Sequence, residues 1–142
     1  MPNLFLISLI CYTIVALIFL AFGVIYLMKK QFMPYHSQAL GSSWSELDSN
    51  LQVLILALMK VAGSGFLVTG LTMLLLLIIP WRAGESWSIY AVPSVSLVTC
   101  LASVYATSLV KTQTSGKPPI VLSLVGVFLT GIGFIFSMFA TN

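Results

Sequence analysis

Charge is what this sequence lacks. Six basic and three acidic side chains make up 6% of 142 residues, against about 25% in a soluble domain. Nine charged groups cannot clothe a chain of this size in a water-facing shell. Cysteine is scarce as well, and Cys11 and Cys100 form no C-x-x-C pair. Both lie in apolar runs and read as small core hydrophobes rather than a redox couple. There is one histidine, His36, so two-histidine haem ligation within the chain is excluded. The pI near 9.0 comes from few charges with no basic patch, which excludes nucleic acid as a partner. Met1-Pro2-Asn3 carries no basic n-region and the first apolar run is too long for an h-region, so no signal peptide is expected.

Apolar residues are what remains, at 59% of the chain against about 45–50% in a soluble one. A helix of about 20 residues crosses the hydrocarbon core, and four segments reach that length. They are residues 4–28, 51–79, 88–110 and 120–140, with a polar loop at 29–50. Backbone groups in lipid must pair internally, which makes helices the form such runs take. The expected fold is all-α, a single integral membrane domain folded as a four-helix transmembrane bundle.

The basic residues predict its orientation. Lys29, Lys30, Lys111 and Lys117 lie on one side and only Arg82, offset by Glu85, on the other. The lysine side is therefore expected in the cytoplasm, with both termini outside. Tyr35 and Trp44 on one side, and Trp81, Trp87 and Tyr90 on the other, stand where interfacial aromatics belong.

The second run is longer than one crossing. Ser43 and Glu46 have capping-box spacing, so a helix starting near Trp44, tilted in the bilayer and extended into the cytoplasm, is expected. Strong tilt alone, projection of its apolar stretch against a partner, and a break at Gly63-Ser64-Gly65 are the competing readings.

Lys60 is the one charge that falls within a span. It either binds an anionic headgroup or substrate carboxylate, or snorkels to the interface. Its helical face carries Ala57, Gly63, Ser64 and Gly70, a packing face. The 29–50 loop holds the other candidate ligand-binding residues: Tyr35, His36, Trp44 and Glu46. His36, Glu46 and Asp48 match no standard metal-ligand spacing, so no metal site is expected. Aromatic anchoring of the loop in the headgroup region is the simpler reading of Phe32, Met33, Tyr35 and Trp44.

Within the spans, small and hydroxyl residues form ordered faces. Ser123, Gly126, Thr130, Gly133 and Ser137 make one stripe; Ser96, Thr99, Cys100, Ser103, Ala106 and Thr107 make another. Phe5, Tyr12, Phe19 and Tyr26 form an aromatic ridge on the first helix. These surfaces suit close helix packing, or the walls of a slot for a lipid, quinone or pigment.

No Asp or Glu falls inside a span, which argues against a proton relay or a multidrug antiporter built on a membrane acid. A thiol–quinone oxidoreductase needs the missing C-x-x-C. A glutathione-dependent four-helix enzyme needs several arginines and acids at the cytoplasmic interface, where this chain has no arginine. No P-loop, nucleophile-elbow or H-E-x-x-H motif occurs, and no catalytic residues are assigned.

The run Phe32-Met33-Pro34-Tyr35-His36, followed by Ala39-Leu40-Gly41, Trp44, Glu46-Leu47 and Leu51-Gln52-Val53-Leu54, resembles a class of small bacterial four-helix membrane proteins. In layout the chain is also similar to DoxX-like proteins, without a diagnostic motif of theirs. The resemblance covers the first loop and the start of the second span. It implies a bacterial inner-membrane protein of this length and no activity. Three roles are compatible with these residues. The leading expectation is a non-enzymatic accessory or structural subunit, a homo-oligomer or part of a larger membrane complex. The others are a lipid- or quinone-binding protein or enzyme with its site at the cytoplasmic interface, and a small oligomeric transporter.

Overall fold

A computed structural model describes residues 2–140, which form helices and their connections and no strand. Helix α1 spans Pro2–Met28, α2 Pro34–Leu40, α3 Ser49–Leu76, α4 Ser88–Gln113 and α5 Ile120–Ala140. Four of these, all but α2, are long and apolar enough to cross a membrane. The chain is an all-α, multi-pass membrane bundle.

Helix α1 packs between α3 and α5, and α4 closes the ring by lying along α5. The contact between α3 and α4 is the sparser seam. Close approach of α1 to its neighbours rests on glycine. A Cβ on Gly63 would stand 2.8 Å from Tyr26 Cβ, and one on Gly133 2.9 Å from the Tyr12 ring. The aromatic ridge of α1 therefore beds into the small-residue faces of α3 and α5, without any hydrophobic drive between helices in lipid. The α5 stripe is consumed in the same way, with Gly126, Thr130, Gly133 and Ser137 all buried. Buried hydroxyls pair across the interface, as Ser96 Oγ and Thr130 Oγ1 do at 2.6 Å. Thr130 donates its own proton to the Gly126 carbonyl, 2.7 Å, leaving Ser96 as the donor between helices.

The long second apolar run departs from expectation at its start. The Ser43–Glu46 capping box forms, the Ser43 N–H donating to Glu46 Oε2 at 2.7 Å. It closes only a single 3-10 turn, Trp44–Glu46, because Leu47 is extended at φ −76°, ψ 144°. The membrane helix starts after Asp48, whose side chain accepts from the Asn50 N–H at 2.9 Å. From there the helix is continuous through Gly63-Ser64-Gly65. It covers 33 residues from Ser49 to Trp81, about 50 Å at 1.5 Å per residue. Its last turn, Leu77–Trp81, widens to a π-turn around Pro80, which has no N–H for the ordinary ladder. Trp81 is not an interfacial anchor. It is 2% exposed, stacked on Phe5 and edge-on to Tyr12.

Burial is unequal along the bundle. The core cluster of Tyr12, Val15, Ala16, Met73, Leu77 and Val92 fills the half nearer Arg82. On α4 every buried residue lies at or before Cys100. On α5 burial begins at Gly126. The half nearer the lysines is held together chiefly along α1 and α3, where Gly23, Met59 and Gly63 are buried.

Candidate functional site

Where the buried core stops, a cavity of about 550 Å³ begins, within the size range of small-molecule pockets. Helix α1 supplies its back wall with Ile18, Phe19, Phe22 and Tyr26. Helix α3 contributes Ala62, Gly65, Phe66 and Thr69. From α4 come the small residues Ala102 and Ala106 and the hydroxyls Thr99, Ser103 and Thr107. Pro118, Pro119, Leu122 and Ser123 close the side at the start of α5.

The residues along the α3–α4 seam are short. Ala62, Gly65, Ala102 and Ala106 are all exposed, and a Cβ on Gly65 would meet nothing within 4 Å. The cavity thus opens sideways, toward the hydrocarbon, between two membrane-crossing helices. Its deep end is closed by a hydroxyl pair, Thr69 Oγ1 and Thr99 Oγ1, at 3.0 Å. Along α4, Ser103 donates back to the Thr99 carbonyl at 2.8 Å and Thr107 to the Ser103 carbonyl at 2.7 Å. Bonded to their own helix, these hydroxyls make little demand on a ligand. Phe66 stacks with Phe19, centroids 6.1 Å apart, and meets Tyr26 edge-on at 5.8 Å.

Helix α2 roofs the lysine end. It forms because Pro34 opens it, with the imidazole of His36 reaching back over its first turn. Gly41 ends it at φ 67°, donating its N–H to the Ser37 carbonyl at 2.9 Å. The roof is fastened on two sides. The Tyr35 and Tyr26 hydroxyls are hydrogen-bonded to each other. Ser115 Oγ donates to the Gln38 carbonyl at 2.6 Å, and the Lys117 N–H donates to Gln38 Oε1 at 3.1 Å. His36 and Tyr26 also border a second, outer cavity of about 400 Å³ with Ala39, Leu40, Met59 and Leu58. Tyr26, His36 and Ala62 border both cavities.

Two groups of this roof titrate abnormally. Burial holds the His36 imidazole below its ordinary range, so it is neutral near pH 7. Its Nδ1 accepts the Met33 N–H at 3.3 Å, which places the ring proton on Nε2. Burial, then the neighbouring Tyr26, pushes the Tyr35 phenol well above its usual range, so it keeps its proton.

The five sequence candidates do not form one constellation. Tyr35 and His36 line the cavity together. Trp44 packs edge-on to Phe32, 5.0 Å between centroids, while its carbonyl takes a bond from Gln52 Nε2 at 2.7 Å. Glu46 is fully exposed and bound to Ser43, whose N–H and hydroxyl hold its carboxyl below the ordinary range. Lys60 borders neither cavity. Its Nζ donates to the carbonyls of Leu27 at 2.5 Å, Lys29 at 2.6 Å and Tyr26 at 3.3 Å. It caps the C-terminus of α1, where a cation suits the helix dipole. Phe66 and Thr69 join the cavity wall without a signal in the sequence, whereas the Thr99-Ser103-Thr107 row belongs to the hydroxyl face read there as packing surface or slot wall. The i, i+4 spacing of that row is visible in the sequence, on the same broad face of α4 as the Ser96-Cys100 pair that meets α5.

No family model matches the chain, and no curated protein or solved structure matches it significantly.

Proposed function

We propose that this protein binds a lipophilic molecule within the membrane, in the cavity at the lysine-bearing end of the bundle. One observation carries the reading: the core is packed tightly near Arg82 and gives way, under the α2 roof, to an apolar chamber open between α3 and α4. Ordinary helix packing would let α4 close on α3, and the exposed alanines there leave that closure unmade. The small-residue stripe of α5, which favoured a packing subunit, meets α1 and α4 of the same chain. An accessory role in a complex would therefore act through other surfaces, with the bound lipophile as its working part. In this reading the lysine end faces the cytoplasm of a bacterial inner membrane, both termini outside; the support is four lysines opposite a single arginine.

Gly65→Leu tests the cavity, since its side chain enters open space without touching backbone. Gly131→Leu is the control, being equally unobstructed and away from the cavity. Mass spectrometry of the purified protein should find a lipophile enriched over bulk membrane lipid in the native chain and in Gly131→Leu, and depleted in Gly65→Leu. Equal content in all three, or no enrichment in any, would remove the reading.

A further inference from the structure

We propose that the ligand is a neutral, ring-headed lipid of the quinone kind, its ring carbonyl accepting a hydrogen bond from His36 and its apolar tail leaving through the α3–α4 seam. This rests on the cavity being a lipophile site, and narrows its occupant from the chemistry of the walls. Charge comes first. Of the described residues bordering the cavity none is Asp, Glu, Lys or Arg, and the nearby Lys60 is engaged by three carbonyls. A carboxylate or phosphate head would sit there uncompensated, at a cost of several kcal/mol. Neutral heads are left.

Shape comes next. The roofed end is walled by Phe22, Tyr26, Phe66 and Tyr35, with Phe66 at the junction of three aromatic contacts. A flat ring finds stacking and edge contacts there that a flexible chain does not exploit. The other end, toward Val98 and Ala102, is aliphatic and open, which suits a tail.

Polarity selects the head's functional group. One of the Tyr26 and Tyr35 hydroxyls donates to the other, which leaves one phenol proton for an acceptor, while Ser103 and Thr107 donate to their own helix. His36 adds a second donor. Its Nδ1 is taken by the Met33 N–H, and no bond to Nε2 occurs among the described residues. The site thus offers a neutral N–H donor beside an aromatic wall, complementary to an acceptor on a ring.

The experiment uses the full chain in phosphatidylcholine nanodiscs, with empty nanodiscs subtracted. Saturable binding of a radiolabelled alkylbenzoquinone is measured. It is competed with the alkylbenzene of the same tail, which has the ring without the acceptor, and with the fatty acid of equal length, which has acceptors but no ring. The quinone should displace label at about tenfold lower concentration than either competitor. His36→Ala should weaken quinone binding about five- to tenfold, the worth of one hydrogen bond, leave alkylbenzene unchanged, and be rescued in part by His36→Gln. Should His36→Ala fail to fold, the imidazole ¹⁵N resonance of the native chain gives the answer: Nε2 shifts on adding quinone and not on adding alkylbenzene. Equal competition by all three compounds overturns the ring-headed inference while leaving the cavity reading intact. No saturable binding of any compound overturns both.

Discussion

Replacing Lys60 with methionine separates a helix-capping cation from a ligand-binding one. The last backbone N–H to reach back into α1 is that of Lys29, bonded to Ile25 O at 3.1 Å. The carbonyls of Tyr26 and Leu27 then lie beyond the ladder, and the ammonium of Lys60 takes both, together with Lys29 O. Two of the three bonds are short, and a hydrogen bond to a charged group contributes about 1.5–3 kcal/mol when desolvated. Lys60 is only partly buried, so water replaces some of that. A cation in a partly buried position at a helix C-terminus contributes up to about 2 kcal/mol. The expected loss is therefore about 2 kcal/mol, with methionine preserving the packing of the lysine stem. Lys60→Arg should recover part of it. Reversible unfolding in mixed detergent micelles, followed by far-UV circular dichroism or steric trapping, measures the difference. Lipophile content, measured under conditions where the variant is folded, should not change. A stability loss below about 0.5 kcal/mol, or lost lipophile with stability intact, would refute the capping assignment and return Lys60 to the ligand.

Two further outcomes are expected. A double-mutant cycle of Ser96→Ala and Thr130→Ala should give a coupling near 1 kcal/mol, since both hydroxyls are fully buried and 2.6 Å apart and such membrane pairs average about 0.6 with a ceiling near 1.7 kcal/mol; additive losses would mean that the contact does not bind α4 to α5. Single cysteines at Ser43 and Ser86, in chains whose buried Cys11 and Cys100 are replaced by serine and alanine, should differ toward an impermeant maleimide on intact cells. Ser86→Cys should label and Ser43→Cys only after lysis, and the reverse pattern would invert the proposed orientation.

The four membrane helices were legible because an apolar run of that length has one structural solution in lipid. Helix α2 was not, since Pro34–Leu40 is seven residues and too short for apolar periodicity to register. The Ser43–Glu46 box is legible as a local motif, but it closes one 3-10 turn instead of opening the long helix. Nothing in the spacing reveals that Leu47 turns extended and hands the capping role to Asp48. Tyr35 and His36 stood out as aromatic and titratable residues in a polar loop, and the structure gathers them at the cavity. Lys60 stood out equally, yet its partners are carbonyls some thirty positions earlier in the chain, and carbonyls carry no sequence signature. The cavity itself was hidden for a related reason. Gly133 and Ala106 are both small residues on helix faces, but Tyr12 comes to meet the first and nothing fills the space beside the second. Sequence records the size of a side chain and not the arrival of its neighbour.

The half-packed bundle divides the chain into a part that sets the architecture and a part that can be retuned. Near Arg82, exchanging Tyr12, Met73 or Val92 disturbs several helices at once, for each is fully buried. Beyond Cys100, α4 carries no buried residue, so changes at Ala102 or Ala106 resize the chamber without disturbing what holds the helices upright. On the proposed reading of the chamber as a lipophile site, altering a few alanines exchanges one membrane-soluble guest for another, while the fold that houses them stays the same.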